Sequence, residues 1–459
     1  MEWFVAPGLN HEALDQFFEK IGENGTEIHT MQIYRHGEKI LRLALEPYSC
    51  SDAREIYSLS KTFDSSVVGI ACDMGLLSVE DSVADILGKT NVSEYFSKMK
   101  VRHVLSMNTG HSRCVMPEMA FGENAVDGFF SVEPEYEPGT HFAYNTGASC
   151  LLTALVEKVT GRGFFDFASE YLFAPLGITD AFWTRCKDGT CVGGAGLHVS
   201  NDDIIKLGLM LQNGGVYQGK RILSEKWVQE ASSAISDNSA NETPDWQSGY
   251  GYQIWRNARD GFRGDGAFGQ LCMVLPGYDM VLAIQANAVD FQREIDLIME
   301  LVENLDESRG DPRVRSYLPV SGESVLETVD ACYRMEENPS GIRTIHLKTE
   351  GDSVCLSFGD GNGLQSIRAQ VGSWTENSYY GKCLVPGLQL IPMDQSRPVR
   401  AAVSCAGDGD RIILYLRYKS NPHIDRFEIK AESNRLEIRL CCTSEGLRNE
   451  SMCVLKGCR

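Results

Sequence analysis

The order of strand-forming and helix-forming segments is the feature that most limits the fold of this chain. Runs rich in β-branched and aromatic residues, bounded by turn residues, predict strands at 28–34 and 39–45, and again at 251–255, 268–275 and 280–285. Between these two groups of strands the signals are mostly helical and are broken by Gly and Pro loops. An antiparallel five-stranded sheet, with helices on its faces and an α-rich insertion, accounts for this α+β order.

Helices are predicted on both sides of the strands and within the insertion. Apolar residues at helical spacing mark each of them, and a capping-type Ser200 precedes the one that starts at residue 202. The predicted helices are 11–21, 101–107, 151–159, 202–211 and 291–305. The segment 1–305 therefore has the elements of one complete domain.

The composition changes after residue 305. Residues 306–320 are polar and contain Gly and Pro, which predicts a linker. Residues 321–459 then show short strand-like runs separated by turn signals, such as the glycine-rich 359–363. A small all-β domain is predicted there, either a barrel or a sandwich, and it contains no recognisable chemical motif.

Charge and cysteine content exclude several classes of partner. The net charge of −20 argues against nucleic acid and against anionic membrane surfaces. The start of the chain lacks the basic and apolar regions of a signal peptide, and no apolar run has membrane-spanning length, so we expect a cytoplasmic protein. The 15 cysteines lack the paired spacing of a zinc site, which predicts free thiols and no metal. No motif for an organic cofactor was found, and no sequence signal specifies an oligomeric state.

A serine and a lysine at helical spacing are the first candidates for chemistry. Ser58 and Lys61 are three residues apart, on one face of a helix whose apolar residues continue to about Gly75. Backbone N–H groups at a helix N-terminus can stabilise an oxyanion, and a neutral lysine can activate the serine hydroxyl. Neutrality near pH 7 requires the lysine pKa to fall by roughly 3 units, which burial or a second cation can cause.

This spacing alone is weak evidence, because Ser-x-x-Lys is a common pattern. It occurs again at 97–100, where we interpret it as an exposed basic patch after a helix. The apolar helix behind Ser58 and two further segments distinguish the first occurrence. The alternative interpretation is a structural helix without catalytic function.

Two loops supply the other candidate groups. Tyr144 lies just before the predicted helix at 151–159, and it could relay protons if a neighbouring cation lowered its pKa. The glycine-rich segment 263–270 opens a strand, and a backbone N–H there could face the Ser58 N–H across a reacting carbonyl. The alternatives are an aromatic residue packed under a loop and a glycine-rich strand start without a ligand.

Taken together, these motifs resemble those of the serine β-lactamase and penicillin-binding-protein superfamily. The chain is most similar to its class C β-lactamase-like serine hydrolases, a group of esterases, amidases, D-aminopeptidases and aminohexanoate-dimer hydrolases. The resemblance covers most of residues 1–305. Besides the three candidate sites it includes Gly75–Val83 (GLLSVEDSV), Arg102–Gly110 (RHVLSMNTG), Pro175–Ile178 and Gly193–Gly219.

The resemblance implies a β-lactamase/transpeptidase-like fold and a role for each matching residue. Ser58 would form the acyl-enzyme, Lys61 would take its proton or hold the charge of a neighbouring base, and Tyr144 would pass protons to the leaving group. The backbone N–H groups of Ser58 and Ala267 would form the oxyanion hole. The candidate substrate-binding residues are Asn145, Thr146, Asp265 and Gly266, although Asn145 is expected to point away from the site.

Two departures from the family pattern affect the expected substrate. Thr146 occupies a position that is usually asparagine, and Gly264 occupies the position of a cation that helps β-lactamases to bind the substrate carboxylate. Penicillin is therefore expected to be a poor substrate, with Arg263 as the one nearby cation that could compensate.

The sequence therefore predicts a serine hydrolase that acts on a small-molecule ester, amide or peptide without a metal or an organic cofactor. The first alternative is a β-lactamase or a D-amino-acid peptidase. The second is a catalytically inactive binding protein on the same fold, because one fold can host many functions.

Overall fold

The computed structural model describes residues 2–305, 316–317, 319, 328–359, 364–379, 397–442 and 453–459. The chain divides into two compact units, one formed by residues 2–44 and 50–305, and the other by residues 45–49 with the described residues from 316 onward. The predicted linker 306–320 lies almost entirely outside the described residues, as does the beginning of the predicted domain 321–459.

The first unit is built on an antiparallel sheet with helices around it. Its strands are β1 (Glu2–Val5), β2 (Glu27–Arg35), β3 (Glu38–Ala44), β4 (Arg54–Glu55), β5 (Phe182–Trp183), β6 (Leu197–Val199), β7 (Val216–Tyr217), β8 (Lys220–Arg221), β9 (Trp255–Arg256), β10 (Phe262–Gly266), β11 (Gln270–Leu275) and β12 (Met280–Asn287). The main sheet has the order β1-β3-β2-β12-β11-β10-β9. Strands β4, β6 and β5 form a second small sheet, and β7 pairs with β8.

The main sheet has seven strands, so the predicted number of five is wrong. Strand β1 was missed because it is short, and β10 because Gly264 and Gly266 weaken its strand signal. The strand predicted at 251–255 contributes only Trp255, because Gln253 has a φ of 60° that interrupts extended backbone. Every residue of β10, β11 and β12 is buried, which places these three strands in the interior of the unit.

Helices fill the insertion between β3 and β9 and flank the sheet. They are α1 (His11–Glu23), α2 (Ser60–Asp73), α3 (Val83–Ile86), α4 (Glu94–Lys98), α5 (Val101–Leu105), α6 (Met116–Phe121), α7 (Ala125–Phe130), α8 (Thr146–Thr160), α9 (Phe164–Ala168), α10 (Ala174–Leu176), α11 (Asn201–Gln212), α12 (Glu225–Ala231) and α13 (Phe291–Glu303). The α+β class and the α-rich insertion are thus confirmed. The start of α11 is fixed by a capping box, in which Ser200 and Asp203 satisfy each other's backbone N–H.

The helix behind Ser58 is buried on all sides over most of its length. Residues 60–71 of α2 are buried, and the helix ends at Asp73, two residues before Gly75, as the sequence predicted. Helix α8 packs against it. Ser58 lies in the turn directly before α2, and Thr146 is the first residue of α8. The N-terminal ends of these two helices form one side of the candidate site.

The second unit is a β-barrel. Its strands are β13 (Asp330–Met335), β14 (Thr344–Glu350), β15 (Ser353–Gly359), β16 (Leu364–Val371), β17 (Thr375–Tyr379), β18 (Val399–Asp408), β19 (Arg411–Tyr418), β20 (Ile424–Ala431), β21 (Arg435–Cys442) and β22 (Cys453–Cys458). The pairing runs β16-β15-β14-β13-β22-β21-β20-β19-β18, and a parallel pairing of β16 with β18 closes the ring, with β17 added on β18. Alternate residues fill its apolar interior, so the barrel alternative is the correct one.

In the part of the chain that the structure describes, no helix combines the length and the apolarity that crossing a membrane requires. The cysteines whose side chains are described are free thiols, and these described residues contain no group of three or more His, Cys, Asp or Glu side chains placed to hold a metal ion.

Candidate active site

Ser58 lies in a short 3₁₀ turn, Tyr57–Leu59, that leads directly into α2. This turn places the hydroxyl at the N-terminal end of a buried helix, where backbone N–H groups and the helix dipole favour negative charge. Ser58 is only partly buried, whereas the helix behind it is inaccessible. The side chain is thus held on a fixed backbone and remains open to a ligand.

Lys61 is almost completely buried and makes three hydrogen bonds through Nζ. Its partners are Ser58 Oγ at 3.0 Å, Thr146 Oγ1 at 3.2 Å and the Gly194 carbonyl oxygen at 2.6 Å. A neutral amine has two N–H groups and one lone pair. With the N–H groups directed at Thr146 and Gly194, the lone pair faces the Ser58 hydroxyl, which is the arrangement that a general base requires.

Burial also sets the protonation of Lys61. It lowers the pKa of the amine to about 8. Asp64, one turn further along α2, is fully buried, and burial raises the pKa of its carboxyl well above the usual range. The charges of Asp64 and Asp265 act against this fall in the Lys61 pKa, and burial exceeds them. Burial therefore shifts the pKa in the direction required for a neutral base, from 10.5 to about 8.

Tyr144 lies between Lys61 and an indole ring. Lys61 Nζ is 4.7 Å from the centre of the Tyr144 ring, and Trp255 stacks on this ring at 5.3 Å with an interplanar angle of 20°. Burial, followed by the charge of Asp265, raises the pKa of Tyr144, while a hydrogen bond with Ser58 lowers it by less. In the sequence, proton relay by Tyr144 depended on a neighbouring cation that would lower its pKa, and these surroundings raise it instead. Tyr144 therefore keeps its proton at neutral pH.

The two residues after Tyr144 have different environments. Thr146 begins α8, and its hydroxyl contacts Lys61. Asn145 is fully buried and caps α8, since its Oδ1 accepts from the backbone N–H groups of Gly147 at 3.0 Å and Val115 at 3.0 Å. Thr146 therefore belongs to the site, whereas Asn145 has no atom exposed to a substrate and its assignment as a substrate-binding residue is corrected.

Strand β10 runs beside the serine turn with its glycines facing that turn. A Cβ atom on Gly266 would lie 2.1 Å from the Ile56 carbonyl oxygen, and one on Gly264 would lie 2.2 Å from Thr62 Oγ1. The backbone of β10 is thus as close to the turn as glycine allows, and the exposed Ala267 follows directly. The position that the resemblance assigns to a cation has no space for a side chain unless the side chains of Leu59 and Thr62 move.

Arg263 and Asp265 lie on the opposite face of β10, as alternation along a strand requires. The Arg263 guanidinium is inaccessible, with Nε bonded to Asp265 Oδ2 at 3.0 Å and Nη1 bonded to Asn257 Oδ1 at 3.1 Å. Burial raises the pKa of Asp265, and Arg263 and a hydrogen bond with Trp255 oppose that rise. Arg263 therefore does not replace the missing cation, and the contacts of Asp265 are to protein groups rather than to an open pocket.

The sequence did not indicate two groups of this site. The Gly194 carbonyl belongs to the glycine-rich run Gly193–Gly196, which was part of the family resemblance but was not predicted to contact Lys61. Trp255 was included in a predicted strand, and its position under the tyrosine ring depends on the chain fold. By contrast, Ser58, Lys61, Tyr144 and Thr146 come together as their motifs predicted.

Comparisons with known proteins agree with this geometry. The Beta-lactamase family profile matches residues 14–302. The 6-aminohexanoate-dimer hydrolase of Paenarthrobacter ureafaciens is 25% identical over 275 residues, which are 54% of this chain and 70% of that protein. A solved family VIII carboxylesterase has a TM-score of 0.55 at 18% identity, covering 66% of this chain and all (100%) of its own. The octameric penicillin-binding protein homologue from Pyrococcus abyssi has a TM-score of 0.51 at 15% identity and covers 97% of this chain and 99% of its own.

The chain belongs to the beta-lactamase family, because the family profile matches more than half of it. The predicted resemblance and the β-lactamase/transpeptidase-like fold are confirmed, with an additional C-terminal β-barrel. Its relatives are hydrolases of this family, and the chain is a hydrolase of the same general kind.

Proposed function

We propose that this protein is a cytoplasmic serine hydrolase that cleaves an ester or amide bond through an acyl-enzyme on Ser58. The observation that carries the proposal is the buried Lys61, whose Nζ lies 3.0 Å from Ser58 Oγ and whose other two hydrogen bonds are taken by Thr146 and Gly194. A binding protein would have no chemical need for a buried lysine with a lowered pKa against a serine hydroxyl.

Acylation follows from the positions of these groups. Lys61 takes the proton of Ser58 as Oγ attacks the carbonyl carbon of the substrate. The backbone N–H groups of Ser58 and Ala267 bind the resulting oxyanion, and such a donor is typically worth about 10²–10³ in rate. Tyr144 then gives its proton to the leaving group and is reprotonated from Lys61. In deacylation, water takes the place of the leaving group and the proton transfers run in reverse.

The charges around β10 bear on whether the substrate carries a carboxylate. With Gly264 in the place of a cation and Arg263 held by Asp265 and Asn257, no buried cation on this strand is available to a substrate carboxylate. We therefore propose a small ester, amide or peptide without a carboxylate at this position, and we expect penicillins to be poor substrates. The names of the carboxylesterase and of the aminohexanoate-dimer hydrolase support bonds of these two types. The net charge of −20 supports a function that involves neither nucleic acid nor membrane.

A substrate panel tests this proposal. The wild type and Ser58→Ala are assayed with p-nitrophenyl acetate, an acyl p-nitroanilide and nitrocefin. We expect turnover of the ester or the anilide, its loss in Ser58→Ala, and little or no turnover of nitrocefin. Nitrocefin hydrolysis as fast as ester hydrolysis would identify a β-lactamase instead, and turnover that survives Ser58→Ala would contradict an acyl-enzyme on Ser58.

A further inference from the structure

Four side chains form a continuous stack beside Ser58. Lys61 Nζ lies 4.7 Å from the centre of the Tyr144 ring, this ring stacks on Trp255 at 5.3 Å, and the Arg263 guanidinium lies 5.9 Å from the Trp255 ring on β9. The tyrosine is thus enclosed by a cation on one face and an indole on the other. Nothing in the family resemblance assigned a role to Trp255.

The indole itself is fixed from several directions. The Arg263 guanidinium, which Asp265 Oδ2 holds at 3.0 Å from Nε, lies 5.9 Å from the centre of the indole ring. Tyr250 contacts the indole edge-to-face, with ring centres 4.6 Å apart and an interplanar angle of 79°. Since β9 pairs with β10, the backbone of Trp255 is also held beside Arg263. The indole is therefore held by Tyr250 and by β10, the strand that directly precedes Ala267.

A tyrosine that moves protons needs such support. Its hydroxyl must stay within hydrogen-bond distance of Ser58, and rotation about its side-chain bonds would move the hydroxyl away. Stacking on a fixed indole opposes this rotation, because the rings would have to separate. Misplacement of a reacting group by about 1 Å can cost on the order of 100-fold in rate.

We propose that Trp255 is a positioning residue that fixes the ring of Tyr144 for proton transfer, and that the contact with Tyr250 and the pairing of β9 with β10 hold its indole in place. The inference rests on the proposed function, since it needs Tyr144 to act in the reaction. Trp255 acts through Tyr144 and does not itself touch the reacting atoms.

A double-mutant cycle tests the proposal. The wild type, Trp255→Met, Tyr144→Phe and the double variant are compared for kcat and KM on an ester that the wild type hydrolyses. Methionine fills most of the volume of the indole without providing a ring plane. We expect Trp255→Met to lower kcat at least tenfold with KM changed less than about twofold, and to change kcat less than about twofold in the Tyr144→Phe background.

Trp255→Phe is the matched control, because it keeps an aromatic plane against Tyr144 although it loses the N–H group and one of the two rings of the indole. We expect its kcat to stay within about threefold of the wild type. Circular dichroism and thermal melting confirm that each variant is folded, and Trp255→Leu takes the place of Trp255→Met if the latter does not fold.

Two results would overturn the inference while leaving Ser58 catalysis intact. An equal loss of kcat in both backgrounds would show that Trp255 does not act through Tyr144. A raised KM with unchanged kcat would make Trp255 a wall of the substrate pocket. A wild type without turnover dependent on Ser58 would instead overturn the proposed function, and the inference with it.

Discussion

The two sides of the candidate site are built in opposite ways. On the helix side, Ser58, Lys61 and Thr146 are joined by hydrogen bonds that all pass through Lys61 Nζ. On the strand side, β10 turns its glycines toward the helix and places Arg263 and Asp265 on its other face. The chemical groups are therefore concentrated on one side, and the other side supplies backbone and a neutralised ion pair.

The difference shows how a site of this kind can work without a second cation. No side chain at position 264 lowers the pKa of Tyr144, and burial together with the charge of Asp265 raises it. Burial lowers the pKa of Lys61, because it disfavours the charged form of a group and the charged form of an amine is the protonated one. In the proposed mechanism Lys61 is therefore the base, and Tyr144 is a neutral proton relay.

Removing the central group of the helix side has the largest expected effect. Lys61→Ala should lower the acylation rate at least about 100-fold, because Tyr144, the other ionisable group beside Ser58, keeps its proton at neutral pH. Single-turnover kinetics with an ester measure this rate, and thermal melting shows whether the variant is folded. An unchanged acylation rate in a folded variant would remove Lys61 from the mechanism and with it the contrast between the two sides.

A change of pH should have the next largest effect on kcat/KM. Lys61 must be neutral to accept a proton, so kcat/KM for a non-ionising ester should rise with pH around the pKa of Lys61, which burial lowers to about 8. Below this midpoint the value should fall about tenfold per pH unit. A flat profile between about pH 6 and pH 9, measured where the protein stays folded, would contradict this assignment.

Introducing a lysine at position 264 of β10 tests whether the glycine there is required. In Gly264→Lys the new Cβ would lie 2.2 Å from Thr62 Oγ1 and 2.6 Å from Leu59 Cδ1. Such overpacking typically costs about 1–3 kcal/mol, which denaturant unfolding can measure. Adding Thr62→Ala should recover part of this loss, because it removes the closest contact. A Gly264→Lys protein as stable as the wild type would show that the two sides are less tightly packed than described.

The smallest expected effect concerns the charge of the strand side. The carboxylate of Asp265 is among the groups that raise the pKa of Lys61, so Asp265→Asn should move the midpoint of the pH profile to lower pH. The other ionisable groups that act on Lys61 are Asp64, Cys114 and Cys150. The control is Asp85→Asn, which removes an exposed carboxyl group on α3 and should leave the midpoint of the pH profile unchanged. A shift to higher pH in Asp265→Asn would contradict the charge argument.

The sequence predicted those parts of the site that lie in short, locally spaced motifs. Ser58 and Lys61 are one helical turn apart, so their contact depends on the helix alone. Trp255 and the Gly194 carbonyl reach the site through the packing of distant segments, which no local pattern encodes. The direction of the pKa shift of Tyr144 was left open by the sequence, because it depends on burial and on Asp265.

The same distinction applies to the fold. Helices α1, α11 and α13 were predicted to within two residues at each end, because their apolar periodicity and caps are local. The closure of the barrel depends on the pairing of β16 with β18, which short-range signals could not distinguish from a sandwich.

The activation of Ser58 is tested by the intact mass of the protein after treatment with a fluorophosphonate, compared between the wild type and Ser58→Ala. Such a reagent modifies a serine only when its hydroxyl is activated. We expect one adduct on the wild type and none on Ser58→Ala. The absence of an adduct on both proteins, or equal labelling of both, would contradict an activated Ser58, and Thr146 and Gly264 would then indicate a binding protein that has lost its catalytic function.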